Sequence, residues 1–450
     1  MTSWTSSCRQ FREEKGGCWD KMRGRKRFLT DSTYLRLRLA AFLSVVGPGI
    51  ITGTADNDAG GIATYSVAGA HFGYQMLWML IPISIMLYVT QEMGARLGIV
   101  TGKGLGDLIR ERFGLRSAVI VAVLVFAVNF ANVLADVAGI ASVADIYRIP
   151  RVIFVTIFAI GIWYVLLKGT FNFVQNIFLT SSILFVCYII NGFIAKPDIP
   201  AVIRGSLLPS LRIERDFIFT ATAMIGTTLT VWGQFFVQSY FVDKEVDKKD
   251  LKSARLDIFL GSLWVVFVAF FIFISAAATL YVKGIRIESA ADAALALGPL
   301  LGPAAKHLFA WGLLNASMLG VSVISLATAY TLTEILGTER KVNASFRDAP
   351  LFYCIIGFCI FVSTLLIFFP RIPMIPLLIA SQALNTLLLP LIFVVMLKLI
   401  NDKQLMGPHV NGPIFNFIAW ITIGGFTLIS LLMLYLTFFQ RSGPASLPIF

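Results

Sequence analysis

The stretch TADNDAGGIATYS at 54–66 sets two carboxylates, Asp56 and Asp58, beside the glycine pair Gly60 and Gly61 inside an otherwise apolar run. No Lys or Arg lies in the apolar part of that run. A carboxylate at the centre of a bilayer costs at least ~2.5–3.5 kcal/mol, so it needs water, a partner or an ion. Anionic oxygens on glycine-flanked backbone, next to exposed carbonyls, make a site for a hard cation. A second role stays open for either aspartate: capping the helix that follows, as Asp does well at a helix N-terminus.

Other polar groups fall in similarly apolar surroundings. The run AMIGTTLTVWGQ at 223–234 offers Gly226, Thr227, Thr228 and Thr230, whose hydroxyls and freed carbonyls suit a hydrated hard ion. Met224 is the one soft atom nearby, and a lone Met in such a run serves packing as well as ligation. In NFANVLADVAG, Asn129, Asn132 and Asp136 recur at spacings of three and four and share one helix face. That face lines a pathway or hydrogen-bonds to a neighbouring helix, and Gln382 and Asn385, three apart, carry the same two readings. The three histidines, His71, His307 and His409, lie near the ends of apolar runs, which leaves neither a buried proton relay nor a His-ligated metal site. VTGKGLGDL lacks the residue order of a phosphate loop, and no nucleophile–base pair points to catalysis, so an enzyme is not expected.

The chain that must position these residues has 450 residues, 57% hydrophobic and only 14% charged, against about 25% charged in soluble domains. Runs long enough to cross a ~30 Å hydrocarbon core recur throughout. Eleven are read, at 40–66, 76–97, 117–145, 150–168, 173–195, 216–242, 256–283, 304–333, 350–369, 373–399 and 413–439. With the N-terminus inside, cytoplasmic segments hold 26 of the 37 Lys and Arg residues and the opposite face 11. That bias puts the N-terminus in the cytoplasm and, after eleven spans, the C-terminus outside a plasma or inner membrane. The net charge of +12 is therefore an orientation and lipid-headgroup signal, and no nucleic-acid partner is expected. Residues 1–35 read as a basic cytoplasmic tail without a cleavable signal, 36–440 as one membrane domain and 441–450 as a short outer tail. Cys8, Cys18, Cys187, Cys354 and Cys359 form no framework, so no disulfide is expected.

Spans 1 and 6 are the ones interrupted mid-membrane, and they stand five spans apart. Non-helical backbone at that depth is tolerated only inside protein or beside an aqueous cavity. Interruptions at corresponding positions of two halves point to an inverted-repeat transporter with its site at the midplane. The expected fold is an all-α polytopic bundle of the five-plus-five, LeuT-like kind, with repeats near 40–195 and 216–399 and an added helix at 413–439.

Longer motifs sharpen this. YVTQEMGARLGIVTGKGLGDLIRERFG at 88–114, GPG at 47–49, ANVLADVAG in span 3 and NDKQLMGPHVNG at 401–412 resemble the NRAMP family of divalent metal transporters over nearly the whole chain. The family's Asp-Pro-Gly-Asn signature falls on Asp58-Ala59-Gly60-Gly61, so the aspartate is kept and the asparagine is lost. Its Ala-x-x-Met-Pro-His falls on Ala223, Gly226, Thr227 and Thr228 when VQS at 237–239 is aligned. The span 3 acid tied to proton transfer in the family becomes Val133, Asp136 stands where glutamate is usual, and Gln382 matches the family's glutamine.

The residues and the resemblance together point to a metal site of Asp58, Asp56, Gly61, Ala223, Gly226, Thr227, Thr228 and Gln382, with Asn129, Asn132, Asp136, Thr230 and Asn385 lining the pathway. Exchanging thioether sulfur for glycine removes discrimination against Mg2+ and is expected to enlarge the cavity. The pattern is similar to the NRAMP-related magnesium transporters, a prokaryotic branch. The expectation is Mg2+ uptake by alternating access, with Mn2+ also carried, and without proton coupling. A membrane potential of 100 mV is worth ~4.6 kcal/mol for a divalent ion, enough for roughly thousandfold accumulation. The alternatives are a proton-coupled Mn2+/Fe2+ importer of the ordinary NRAMP kind, an amino-acid permease on the same fold, and a non-transporting receptor. Apart from the ion as substrate and the lipid bilayer, no cofactor and no obligatory protein partner are expected.

Overall fold

The computed structural model describes residues 48–168, 185–297, 302, 305–338, 346–369 and 372–439. All regular structure in them is helical. In chain order the α-helices are α1 (Pro48–Ala55), α2 (Ala59–Phe72), α3 (Leu80–Thr101), α4 (Leu105–Tyr147), α5 (Arg151–Lys168), α6 (Val186–Ile194), α7 (Ile199–Leu207) and α8 (Arg215–Thr228). They continue with α9 (Val231–Asp243), α10 (Leu251–Thr279), α11 (Ala290–Ala294), α12 (Ala305–Leu336), α13 (Pro350–Ile367), α14 (Met374–Ile400), α15 (Lys403–Met406) and α16 (Pro413–Phe439).

Eight of these segments are long and apolar enough to cross a membrane unaided. Spans 1 and 6 are not among them because each is split into short halves, α1 with α2 and α8 with α9. Span 5 is described only from 185 onward. The read boundaries shift at several ends: the second half of span 1 runs on to Phe72, and α4 begins at Leu105, twelve residues before 117, turning at Gly114 (φ 82, ψ 165). The tails at 1–35 and 441–450, with Cys8 and Cys18, lie outside the described residues. Cys187, Cys354 and Cys359 are free thiols.

Apolar side chains cover both faces of most helices. Leu365, Phe417 and Trp420 stand exposed on the rim, as a lipid-facing surface requires. Inside, the split helices sit between long ones. Both halves of span 1 lean on α10, α8 packs on α14, α9 packs on α3, and α4 and α12 run together. The approach of α1 to α10 depends on two glycines. A Cβ on Gly49 would stand 2.8 Å from the Asp257 backbone, and one on Gly53 2.5 Å from the Gly261 carbonyl oxygen. Buried carboxylates secure the helix ends on this side. Asp257 Oδ2 accepts from Gly49 N at 2.8 Å, and Glu334 accepts from Gly106 N at 3.0 Å and from Ser239 Oγ at 2.5 Å. Glu92 accepts from Arg96 at 2.9 Å and Arg255 at 2.8 Å, tying α3 to α10.

Candidate functional site

The break in span 1 is made by Asp56–Asp58, and Asp58 caps α2: its Oδ1 accepts from Gly61 N at 2.7 Å. The capping role left open for either aspartate thus falls to Asp58, which is buried. Asp136, on α4, reaches the same helix start, with Oδ1 accepting from Ala59 N at 3.1 Å. Two carboxylates therefore bracket the N-terminus of α2, whose free N–H groups favour negative charge there. The other oxygen of Asp136 is buried and without a hydrogen-bond partner.

Asp56 turns the other way. Its Oδ1 accepts from Thr230 Oγ1 at 3.0 Å, and its Oδ2 is buried without a partner. Thr230 also caps α9, accepting from Gly233 N at 3.2 Å, so one hydroxyl joins the two interrupted spans. The break in span 6 falls at Leu229–Thr230, inside the interruption read at 223–234 and shorter than it. Gly226, Thr227 and Thr228 form the last turn of α8, which leaves Leu229–Thr230, and no longer stretch, as unwound backbone.

Three oxygens converge beside Gly61. Where its Cβ would stand, the Asp56 carbonyl oxygen is 2.9 Å away, Thr227 Oγ1 3.1 Å and Asp58 Oδ1 3.5 Å. Thr227 Oγ1 has no partner among the described residues. Thr228 is engaged elsewhere, in a short hydrogen bond with Tyr65 Oη, while its Oγ1 also lies 3.3 Å from the Met224 carbonyl. Ala223 is wholly buried on α8.

Gly226 does not open a cavity. A Cβ there would collide with the Gln382 carbonyl oxygen and stand 2.7 Å from Thr386 Oγ1, so α14 fills the space. The expectation of a roomier site is corrected on this point: the glycine permits helix contact.

Gln382 Nε2 lies 3.4 Å from both Asp58 oxygens, and its Oε1 accepts from Asn385 Nδ2 at 3.0 Å. Asn385 and Asn132 exchange two hydrogen bonds of 3.1 Å, and Asn385 Oδ1 also accepts from Val231 N at 3.4 Å. A carboxamide chain thus links Asp58 to α14, α4 and α9. Asn129 stands apart from it, donating to Thr328 at 3.1 Å. His71 accepts from Ile287 N at 3.3 Å, His307 bonds Tyr147 at 2.9 Å, and the His409 carbonyl accepts from Arg96 at 3.0 Å. Among the described residues, no group of three or more His, Cys, Asp or Glu side chains is placed to hold a metal.

The sequence reading did not single out Tyr65, Gln91, Asp257, Glu334 or Thr386. Asp257 and Glu334 both lie at the edges of apolar runs, beside charged loop segments, which hides them among solvated charges; for Tyr65, Gln91 and Thr386 only the packing reveals the contact.

Two helices interrupted five spans apart, one of them with carboxylates at its break, define a multi-pass membrane transporter of the five-plus-five inverted-repeat fold. The same fold is seen in a manganese transporter of Eremococcus coleocola (TM-score 0.72, 17% identity, 90% of each chain). It is also seen in Mhp1, a nucleobase-cation-symport-1 family transporter (TM-score 0.55, 16% identity, 86% of this chain and 89% of that one). The natural resistance-associated macrophage protein-like (Nramp) family model matches residues 49–436, and the chain belongs to that family; it is a transporter and not an enzyme. Among its relatives, the divalent metal cation transporter MntH of Yersinia enterocolitica is 27% identical over 393 residues, 85% of this chain and 92% of that protein. MntH of Bacillus subtilis is 24% identical over 389 residues, covering 84% and 89%.

Proposed function

We propose that this chain imports divalent metal cations by alternating access, that Mg2+ is its substrate with Mn2+ also carried, and that uptake runs on the gradient and membrane potential without a coupled proton. The observation that carries the reading is the donor set beside Gly61: the Asp56 carbonyl, the Thr227 hydroxyl and Asp58 Oδ1 are all hard oxygens. Mg2+ keeps several waters and is held through one or two carboxylates, which a single anchoring aspartate among neutral oxygens matches. Asp58 is the anionic anchor, Thr227 and the Asp56 carbonyl accept the ion's water hydrogens, and Gln382 orients Asp58. The chain works in the plasma membrane with its N-terminus in the cytoplasm and needs no obligatory protein partner.

A proton-coupled Mn2+/Fe2+ importer is the second reading, and the relatives named as divalent metal cation transporters fit it equally well. The deciding experiment is Mg2+ influx into liposomes under an inside-negative potential, with luminal Mg2+ and pH dyes recorded together. Saturable Mg2+ uptake that Asp58→Ala abolishes, without acidification beyond that of empty liposomes, supports the first reading. Mn2+ uptake with acidification and no Mg2+ uptake would replace it with the second.

A further inference from the structure

The two carboxylates of the span 1 break face different surroundings, and the surroundings of Asp56 have no assigned task. Asp56 and Gln91 line a narrow seam between α1, α3 and α10, together with Gly49, Gly53, Leu87, Ile258 and Ser262, with no room for a water molecule in this state. Asp56 Oδ2 and Gln91 Oε1 are both buried without a hydrogen-bond partner, in residues that are 1% and 3% exposed. With Asp56 ionised, both atoms are acceptors and neither can satisfy the other, and buried acceptors left open call for a donor or a cation. The neighbouring cations are engaged: Arg96 and Arg255 both bond Glu92. Thr230 completes the group. Its hydroxyl bonds Asp56, and the Cβ position of Gly233 lies 2.6 Å from that hydroxyl and 3.3 Å from Gln91 Nε2.

The seam is closed to a hydrated ion in this state, because α1 rests on α10 through Gly49 and Gly53. Its position is informative. Gly49 lies in the first turn of α1, Gln91 in the second half of α3 and Ser262 in the first half of α10. The seam therefore stands between Asp58 and the face where the membrane part of the chain begins.

We propose that Asp56, Gln91 and Thr230 form a second acceptor station for the transported divalent cation, separate from the Asp58 site and used as α1 swings away from α10. The station rests on the reading of the chain as a divalent cation transporter. It takes a divalent ion with part of its water shell, through one carboxylate and two neutral oxygens, and passes it to the face where α1 begins.

The test uses the full chain and Mn2+, with binding measured by equilibrium titration in detergent and uptake in liposomes. Asp58→Asn is expected to lose both. Asp56→Asn, which keeps an oxygen for Thr230, is expected to bind Mn2+ within about threefold of wild type while uptake falls about tenfold, the effect of removing one charge-assisted contact from passage alone. Gln91→Asp adds a second carboxylate and is expected to raise bound Mn2+ from about one to about two per chain, a gain that structural damage does not produce. If Asp56→Asn loses binding as completely as Asp58→Asn, there is one shared site and the station is overturned while the transport reading stands. If Gln91→Asp still binds about one Mn2+ and transports at the wild-type rate, the station is overturned as well. Wild type that neither binds nor transports any divalent ion would overturn the underlying reading instead.

Discussion

Replacing Gly226 tests whether the glycine selects the ion or the packing of the helices. A single methyl at this position meets the Gln382 carbonyl oxygen, stands 2.9 Å from the Gln382 carbonyl carbon and presses on Thr386 Oγ1. The obstacle is backbone of α14, which cannot rotate away as a side chain can. Thr386 is also the group that ties the helices together, donating to the Thr222 carbonyl at 2.7 Å. Overpacking of this kind costs ~1–3 kcal/mol and the lost hydrogen bond about 1 kcal/mol more. A total of about 2–4 kcal/mol against the packed α8–α14 state lowers its share roughly 30- to 1000-fold. The assay is parallel Mg2+ and Mn2+ uptake in liposomes by wild type, Gly226→Ala and Gly226→Met. Uptake of both ions is expected to fall together in both variants, more steeply with methionine. If Gly226→Met carries Mn2+ faster than wild type while losing Mg2+, a thioether fits where the structure leaves no room, and the packing argument is refuted.

Three further outcomes follow from contacts on the α1 side of the molecule and at its centre. Asp58→Ala removes the anchoring carboxylate and the α2 cap together, and uptake of either ion is expected to drop to the level of protein-free liposomes in the same dye assay. Asp257→Ala removes the charge-assisted bond to Gly49 N, worth ~1.5–3 kcal/mol, and is expected to shift α1 toward the open position roughly 10- to 150-fold. Faster labelling of Ser262→Cys by a thiol reagent, on a background without native cysteines, reads that shift; an unchanged rate counts against the Asp257–Gly49 bond holding α1 on α10. Burial lowers the Lys244 amine from 10.5 to about 8, with Asp257 partly opposing the shift. Since the folded chain sheds this proton near pH 8 and the unfolded chain near 10.5, the unfolded state binds more protons in between. Stability is therefore expected to rise with pH across that window and to lose the rise in Lys244→Met, measured by thermal unfolding in detergent.

Much of the fold was legible because a membrane imposes length and apolarity on every crossing. Breaks are legible for the same reason, since TADNDAGG cannot continue an apolar helix at no cost. Position within a break is less so. Thr227 and Thr228 are as compatible with a helix end as with a loop, and only the Thr230 cap on Gly233 fixes where α9 starts. The division of labour between Asp56 and Asp58 was hidden too, because two residues of spacing says nothing of which neighbour each one meets. Asp136 reaches Ala59 across 77 residues of chain, a contact set by how α4 packs. Gly226 was read as space because a glycine in a sequence records an absent side chain, not the helix that occupies its place.

The carboxamide chain has a mechanical consequence. An amide offers a donor at one end and an acceptor at the other, so each member sets the orientation of the next. Val231 N holds the oxygen of Asn385; the nitrogen of Asn385 then holds the oxygen of Gln382, and Gln382 is left with only its nitrogen to show to Asp58. That nitrogen stands 3.4 Å from both oxygens of the carboxylate. Turning Gln382 to present its oxygen instead would cost the bond from Asn385 Nδ2, because Asn385 is held in its orientation by Asn132 and by the first N–H of α9. The orientation of the amide beside one interrupted helix is thereby tied, through a single asparagine, to the first N–H of the other.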